Sequence, residues 1–311
     1  MADTGFVLVL GGANVDISAG TDHALSPGDS TPGRVRFSPG GVARNVAHNL
    51  ARLGHDTRLL SAVGDDAQGR SLLSNTQQAG VDVSGCWVLA DAATASYVSV
   101  HDRSGDMVVA VNDMQVLERI TPDMLAPHAQ PLRQAAAVVV DCNLPEAALG
   151  WVFAQCGAVP VFVDAVSAFK CRRLLPWLAQ VHTLKANRLE AQALSGMPVG
   201  SNAQVESAAQ WLHRQGVQRV VLSLGEEGLY FSEPSAGGWQ SALPVTVLNT
   251  TGAGDALMAG LVHSHRSGQP LAKAVRFASG CAAMTLAVVS TNHPEISVAS
   301  VETLLQRHPQ H

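Results

Sequence analysis

A chain of 311 residues is longer than the usual single domain, although doubly wound sheets of this length occur as one compact unit. Hydrophobic residues make up 47% of it and charged ones 14%, which excludes extensive disorder and suits an α/β protein whose sheet is buried on both faces. The formal net charge of −5, with no run of Lys or Arg, excludes the electrostatic footprint of a nucleic-acid binder and leaves a small molecule as the expected ligand.

The amino-terminal Met1-Ala2-Asp3-Thr4-Gly5 lacks a basic leader region, and the apolar run Phe6 to Leu10 is far too short to span a bilayer, so a cytoplasmic protein is expected. Phe6 to Leu10 opens a series of short apolar runs: Arg58 to Val63, Ala137 to Asp141, Val161 to Asp164, Val181 to Lys185 and Arg219 to Leu224. Between them, Val42 to Leu53, Ala67 to Ala79, Ala203 to Gln215, Ala253 to Ser267 and Leu271 to Ala287 repeat apolar residues at spacings of three and four, as helices do. Gly54, Gly80, Gly216 and Gly268 stand where such helices stop. The alternation predicts a mostly parallel sheet covered by helices, within a single domain over 1–311.

Two stretches break the rhythm, about 16–38 and 94–112. In the second, Tyr97, Ser99 and His101 alternate with Val98, Val100 and Asp102, and Ser104-Gly105 marks a turn before Met107 to Val111. Paired with the first stretch, this hairpin predicts a small separate β-sheet lying as a lid over the carboxyl edge of the main sheet, where open α/β folds bind ligands. Ser232 to Ser241 reads as a loosely composed surface turn.

The strongest chemical signal is Asn249-Thr250-Thr251-Gly252-Ala253-Gly254-Asp255, after the extended run Leu243 to Leu248 and at the head of an apolar helix. Strand, glycine turn and helix in that order let the backbone N–H groups of Gly252, Ala253 and Gly254 face a phosphate at the positive end of the helix. Asp255, in the first turn, can reach the same space and accept the proton of an attacking hydroxyl. The competing reading is a glycine turn whose Asp255 merely favours the helix N-terminus.

Four weaker motifs accompany it. Asn187-Arg188-Leu189-Glu190 follows an apolar run and can be directed at phosphates and, through water, at Mg²⁺, or can be a capping box alone. Ser223-Leu224-Gly225-Glu226-Glu227-Gly228 would let a nucleotide approach the backbone, or can be a hairpin turn. Asn14 and Asp16, after Gly11-Gly12, can bracket vicinal hydroxyls. Gly40 and Gly41 can bring backbone against a sugar with Asn45 hydrogen-bonding to it, or can serve tight helix packing.

Five cysteines, Cys86, Cys142, Cys156, Cys171 and Cys281, show no C-x-x-C spacing and read as buried thiols. Of twelve histidines, His23, His48, His55, His213 and most others fall in polar or solvated contexts without partners at metal-ligand spacing. His263-Ser264-His265 places two rings on diverging directions of a helix, so no metal site is expected there. No nucleophile elbow, dinucleotide fingerprint or G-x-x-x-x-G-K-[ST] loop is present.

Taken in order, Gly40-Gly41, Val63-Gly64-Asp65-Asp66 with Gly69, Lys185-Ala186-Asn187-Arg188-Leu189-Glu190, Leu224-Gly225 with Gly228, and Thr250-Thr251-Gly252-Ala253-Gly254-Asp255 resemble the motifs of the PfkB family, over nearly the whole chain. The resemblance implies a ribokinase-like three-layer α/β/α core with a β-sheet lid that pairs protomers as a homodimer, and ATP-dependent transfer to a hydroxyl with Mg²⁺. It implies Asp255 as base and Gly252, Ala253 and Gly254 as anion hole. Asn187, Ser223, Gly225, Gly228 and Thr251 with that hole become nucleotide contacts, and Glu190 the Mg²⁺ residue. Asn14, Asp16, Gly40, Gly41, Asn45, Asn112 and Asn143 become substrate contacts.

One departure stands at Asn249, where many members carry an Asp that helps hold a monovalent cation, so K⁺ activation is left open. Within the family, the segments 40–47, 111–114 and 163–170 look most like those of pseudouridine kinases. That implies phosphorylation of the pseudouridine 5′-hydroxyl, supplying a glycosidase of nucleoside breakdown, with Asn112 and Ser18 as base-recognition candidates. A ribokinase or another nucleoside or sugar kinase is the alternative, and a non-catalytic nucleoside-binding protein the remote one.

Overall fold

The structure is a computed structural model that describes residues 5–26 and 28–309. Residues 1–4, read above for a leader, and residue 27 of the 16–38 stretch lie outside them. In chain order the strands are β1 (Val7–Leu10), β2 (Asn14–Gly20), β3 (Arg34–Gly40), β4 (Thr57–Leu60), β5 (Ala62–Gly64), β6 (Trp87–Leu89) and β7 (Ser96–His101). They continue with β8 (Met107–Asp113), β9 (Ala137–Asp141), β10 (Val161–Asp164), β11 (Thr183–Asn187), β12 (Arg219–Ser223), β13 (Leu229–Glu233) and β14 (Ala236–Gln240).

Eight of these strands form the main sheet in the order β14-β13-β12-β11-β10-β9-β1-β4, parallel except for β13 and β14. Successive side chains of a strand leave on opposite faces, and the sequence supplies apolar residues at both parities. In β9, Val138 and Val140 pack with Leu8, Leu10, Leu149 and Leu212 on one face. Ala137 and Val139 pack with Val7, Val9, Leu50 and Leu257 on the other. Helices Glu146–Gln155 and Asn202–Arg214 cover the first face, and helices Val42–Arg52, Ala253–Arg266 and Leu271–Leu286 the second. The result is an α/β fold of three layers.

The two irregular stretches supply a separate four-stranded sheet ordered β3-β2-β7-β8. Its rows pair Asp16 with Ser38 and Tyr97, and Tyr97 with Asn112, so polar residues share one face. The opposite face carries Val35, Phe37, Val98 and Val111, exposed by 58%, 64%, 37% and 66%.

Several expectations need correction. Arg58 to Val63 is not one strand: β4 joins the main sheet, while β5 turns away to pair with β6. Leu243 to Leu248 forms no strand, because Leu248 N–H donates to Leu286 at a helix end rather than to a sheet edge. The anion-hole turn therefore follows an irregular segment. Ser232 to Ser241 is a strand hairpin rather than a loose turn, with Gly237 and Gly238 opposite Ser232 and Phe231 and with Tyr230 packed on Trp239 at 4.9 Å. Three of the four named histidines have side-chain partners: His48 Nδ1 lies 3.1 Å from Arg44 Nη2, His55 Nε2 lies 2.8 Å from His263 Nδ1, and His213 Nε2 lies 2.8 Å from Ser232 Oγ. Cys86 is half-buried, whereas the other four cysteines are buried and all five are free.

Candidate active site

Four of the parallel strands finish at their carboxyl ends on a polar residue. Asp141 ends β9, Asp164 ends β10, Asn187 ends β11 and Ser223 ends β12, with Asn187 directly opposite Ser223 in register. This edge is where an open α/β sheet presents a ligand site.

Helix Ala253–Arg266 begins over that edge. Its cap, Gly252, has φ 86°, a left-handed conformation that a side chain resists, and a Cβ there would also run into the Thr291 carbonyl. A Cβ on Gly254 would sit 2.6 Å from Lys185 Nζ. The first-turn N–H groups, without carbonyls four residues back, are thus offered beside a buried ammonium, which suits a phosphate.

Asp255 is 7% exposed and accepts a hydrogen bond from Asn45 Nδ2 at 2.7 Å. Burial, with Asp164 nearby, pushes its pKa up to about 7 against the opposing pull of Lys185 and Asn45. A carboxylate poised there can exchange a proton near neutral pH. Lys185 Nζ donates to Asp164 Oδ2 at 3.0 Å. Burial alone would lower the lysine pKa, but Asp164, Glu190 and Asp255 together raise it, so the ammonium stays charged.

Asn45 is occupied on both ends, because Arg44 Nη1 donates to its Oδ1 at 3.0 Å and also to Asn292 Oδ1 at 2.7 Å. Its side chain therefore holds Asp255 with one of its two amide N–H groups. Asn14 Nδ2 donates to Asp16 Oδ1 at 2.7 Å, and the Asp16 carboxylate lies where a Gly40 side chain would be. Gly41, at φ 97°, likewise has no room for a side chain against Gly12 and Ala13. Asp141 fastens this floor: its Oδ2 accepts from the N–H groups of Gly12 and Ala43, and its Oδ1 from that of Asn143, each at 2.9 Å.

Asn187 and Glu190 do form a reciprocal capping box, with the Glu190 oxygens accepting from Asn187 N at 2.8 Å and Nδ2 at 2.7 Å. Each oxygen keeps a further lone pair, so the carboxylate can still receive metal-bound water. Among the described residues no group of three or more acidic, His or Cys side chains could hold a metal. That suits Mg²⁺, which keeps most of its water and leans on phosphate oxygens. Ser223 Oγ contacts the Ala186 carbonyl at 3.4 Å, Gly225 has open space around it, and Gly228 turns β12 into β13 with Leu224 N–H bonded to its carbonyl. Thr251 is exposed, its N–H donating to Asn249 Oδ1 at 3.0 Å, while Asn249 Nδ2 donates to the Val289 carbonyl at 2.9 Å. Asn112 is exposed on the smaller sheet.

Asp66 is committed elsewhere, accepting from Gly69 N, Thr94 N and Thr94 Oγ1, and so ties a helix start to the segment leading into β7. Lys185, Asp164, Asp141, Arg44 and Asn292 were not foreseen. For Asp164 and Asp141 the signal was present: a charged residue closing a fully apolar strand must be met by a partner at the carboxyl edge.

The pfkB family carbohydrate kinase pattern matches residues 4–297. This chain is a member of the pfkB family of carbohydrate kinases. It is 45% identical over 307 residues to the pseudouridine kinase of Escherichia coli strain K12, covering 98% of each chain. It is 41% identical over 301 residues to an uncharacterized sugar kinase of the same strain, covering 96% of this chain and 83% of that one. Arabidopsis thaliana ribokinase complexed with ribose and ATP superposes with a TM-score of 0.86 at 23% identity, over 97% of this chain and 98% of that one. The kinase thus has a ribokinase-like fold and an ATP-dependent phosphotransferase activity toward a sugar or nucleoside. Among the described residues no helix is long and apolar enough to cross a membrane.

Proposed function

We propose that this kinase transfers the γ-phosphoryl group of ATP to the 5′-hydroxyl of pseudouridine, giving pseudouridine 5′-phosphate and ADP. The observation that carries this reading is the 45% identity to a pseudouridine kinase along 98% of the chain. Asp255 takes the proton of the attacking hydroxyl, whose oxygen bonds to the γ-phosphorus as the bond to the β–γ bridging oxygen breaks and ADP leaves with that electron pair. The N–H groups of Gly252, Ala253 and Gly254, with Lys185 beside them, meet the charge on the transferred group. A buried carboxylate whose pKa is raised to about 7 supports the base assignment, since it is basic enough to take the proton while a substantial fraction is ionised at neutral pH.

Asn187, Ser223, Gly225, Gly228 and Thr251 line the nucleotide side, and Glu190 holds Mg²⁺ through water. Asn14, Asp16, Gly40 and Gly41 form the floor for the ribosyl group and Asn143 is a further acceptor contact, with Asn112 and the smaller sheet closing over the site as a lid. The apolar outer face of that lid, with Val35, Phe37, Val98 and Val111 exposed, is covered by the same face of a second copy. Asn249 bridges two loops by direct hydrogen bonds, which supports a site that works without K⁺. ATP consumption with a panel of free nucleosides and sugars, with and without K⁺, tests substrate and cation together. Pseudouridine should be the preferred acceptor under both conditions, and a strong preference for ribose or adenosine would replace this reading.

A further inference from the structure

Asn143, at the end of β9, is 7% exposed and its Nδ2 lies 2.7 Å from where a Gly12 side chain would begin. A carboxamide can turn over with little steric change, so a neighbour must decide whether it offers N–H or C=O to the cleft. Lys170 decides it. Its Nζ donates to Asn143 Oδ1 at 2.6 Å, and an ammonium, having donors only, accepts no other orientation. The amide oxygen is thereby turned to Lys170, and the NH₂ faces Gly12 and the Asp141 carboxylate, to which the side chain also bonds, with its second N–H left for the cleft.

The loop that delivers Lys170 has an unusual backbone. Val166 has φ 65°, a left-handed conformation that β-branched residues rarely adopt, and such strain gathers at functional sites. Asp164 Oδ1 pins it by accepting from Val166 N at 3.0 Å, while Oδ2 of the same carboxylate holds Lys185 beside Gly254. Ser167 Oγ accepts from Lys170 N at 3.2 Å, and Arg173 Nη1 donates to the carbonyls of Asn143 and Leu144 at 3.2 and 3.0 Å. Burial draws the Lys170 pKa down while Asp141 draws it up, but the Asp141 carboxylate is already taken by three N–H groups.

We propose that the Asn143–Lys170 pair is a specificity-determining element of the acceptor pocket, in which Lys170 orients the carboxamide and both present donors to a ring carbonyl of a pyrimidine-dione nucleoside. An exocyclic amino group at that place brings a donor against donors and is refused. This rests on the nucleoside-kinase reading above. It places base recognition on the strained loop over 166–170 rather than on Asn112 and Ser18 of the lid.

The experiment compares kcat/KM for pseudouridine, cytidine and ribose in the wild type, Lys170→Met and Lys170→Arg, with thermal melting of each. A site that hydrogen-bonds a substrate group loses discrimination steeply when the partner is removed, so in Lys170→Met the pseudouridine-to-ribose ratio of kcat/KM should fall about 30-fold or more, mostly through KM. Lys170→Arg, which keeps the donors, should retain most of the ratio. An unchanged ratio in Lys170→Met, or an equal fall in Lys170→Arg, overturns the proposal. If Lys170→Met does not fold, Asn143→Asp keeps a partner for Lys170 but presents an acceptor, and should move preference from pseudouridine toward cytidine about tenfold or more; an unmoved preference also overturns it. A wild type that turns over ribose and no nucleoside removes the nucleoside reading and this inference with it, whereas pseudouridine turnover with unmoved ratios removes this inference alone.

Discussion

Asn45 Nδ2 donates to Asp255 Oδ2 at 2.7 Å across 210 positions of sequence, joining the helix behind the first glycine pair to the helix behind the last one. Both N-terminal turns are thereby locked around one buried carboxylate. Arg44 holds the far end of the amide, and Asn292, which accepts from Arg44, donates to the Asn45 backbone carbonyl, so Asp255 is presented in one orientation.

Replacing that carboxylate separates activity from folding. Asp255→Asn should lower kcat by about 10²–10⁴ while the protein still melts cooperatively. Stability should rise, because the raised pKa means the folded state holds this proton more tightly than the unfolded state. The contribution of Asp255 is full below its ordinary value of 3.8 and is lost as pH climbs through about 7, leaving a buried charge above it. Melting at pH 8 should therefore favour Asp255→Asn by up to about 4 kcal/mol, with the difference vanishing near pH 4.

The acid limb of the pH–rate profile should follow the same group. In the free enzyme kcat/KM should fall roughly tenfold per pH unit below about 7 and level off above it. Lys185 pulls that pKa down, so Lys185→Gln should move the limb to higher pH as well as slow the plateau. A limb that stays put would mean that Lys185 does not act on Asp255.

Gly252 tolerates no side chain for two independent reasons, its left-handed φ and the Thr291 carbonyl. Gly252→Ala should displace the turn that begins helix Ala253–Arg266, costing about 1–3 kcal/mol and most of the activity. Gly268→Ala gives the comparison, since Gly268 shares the positive φ but has open space around it, and should lose stability without the same loss of activity.

A charge on the outer face of the smaller sheet should separate protomers. Phe37 is 64% exposed, and Phe37→Asp should convert a dimer, seen by light scattering in the wild type, to a monomer. A monomeric wild type would show that this face is not paired.

Much of this arrangement was legible because strands and helices announce themselves through burial. The runs over β9 and β10 and the helix behind Gly252 carry apolar residues at the right period, and their bounds shift by at most a residue or so in the structure. What stayed hidden depends on which elements become neighbours. Leu243 to Leu248 is apolar enough for a strand, yet its carboxyl end bonds to a helix end instead of a sheet edge. Asp141 and Asp164 look like ordinary strand ends, and Lys185 like an isolated charge inside a strand, until the parallel order sets the three side by side. The bonds of Asn45 to Arg44 and Asp255 were hidden likewise, because nothing in a linear pattern brings residue 255 beside residue 45.

The most direct measurement is kcat/KM for pseudouridine, ribose and adenosine with ATP and Mg²⁺, in the wild type and in Asp255→Asn, with phosphorus NMR locating the transferred group. Pseudouridine should exceed the other two by at least about tenfold, its 5′-oxygen should carry the phosphate, and Asp255→Asn should abolish the signal. A preference for ribose or adenosine, or undiminished turnover by Asp255→Asn, would contradict the assignment of substrate or of base respectively.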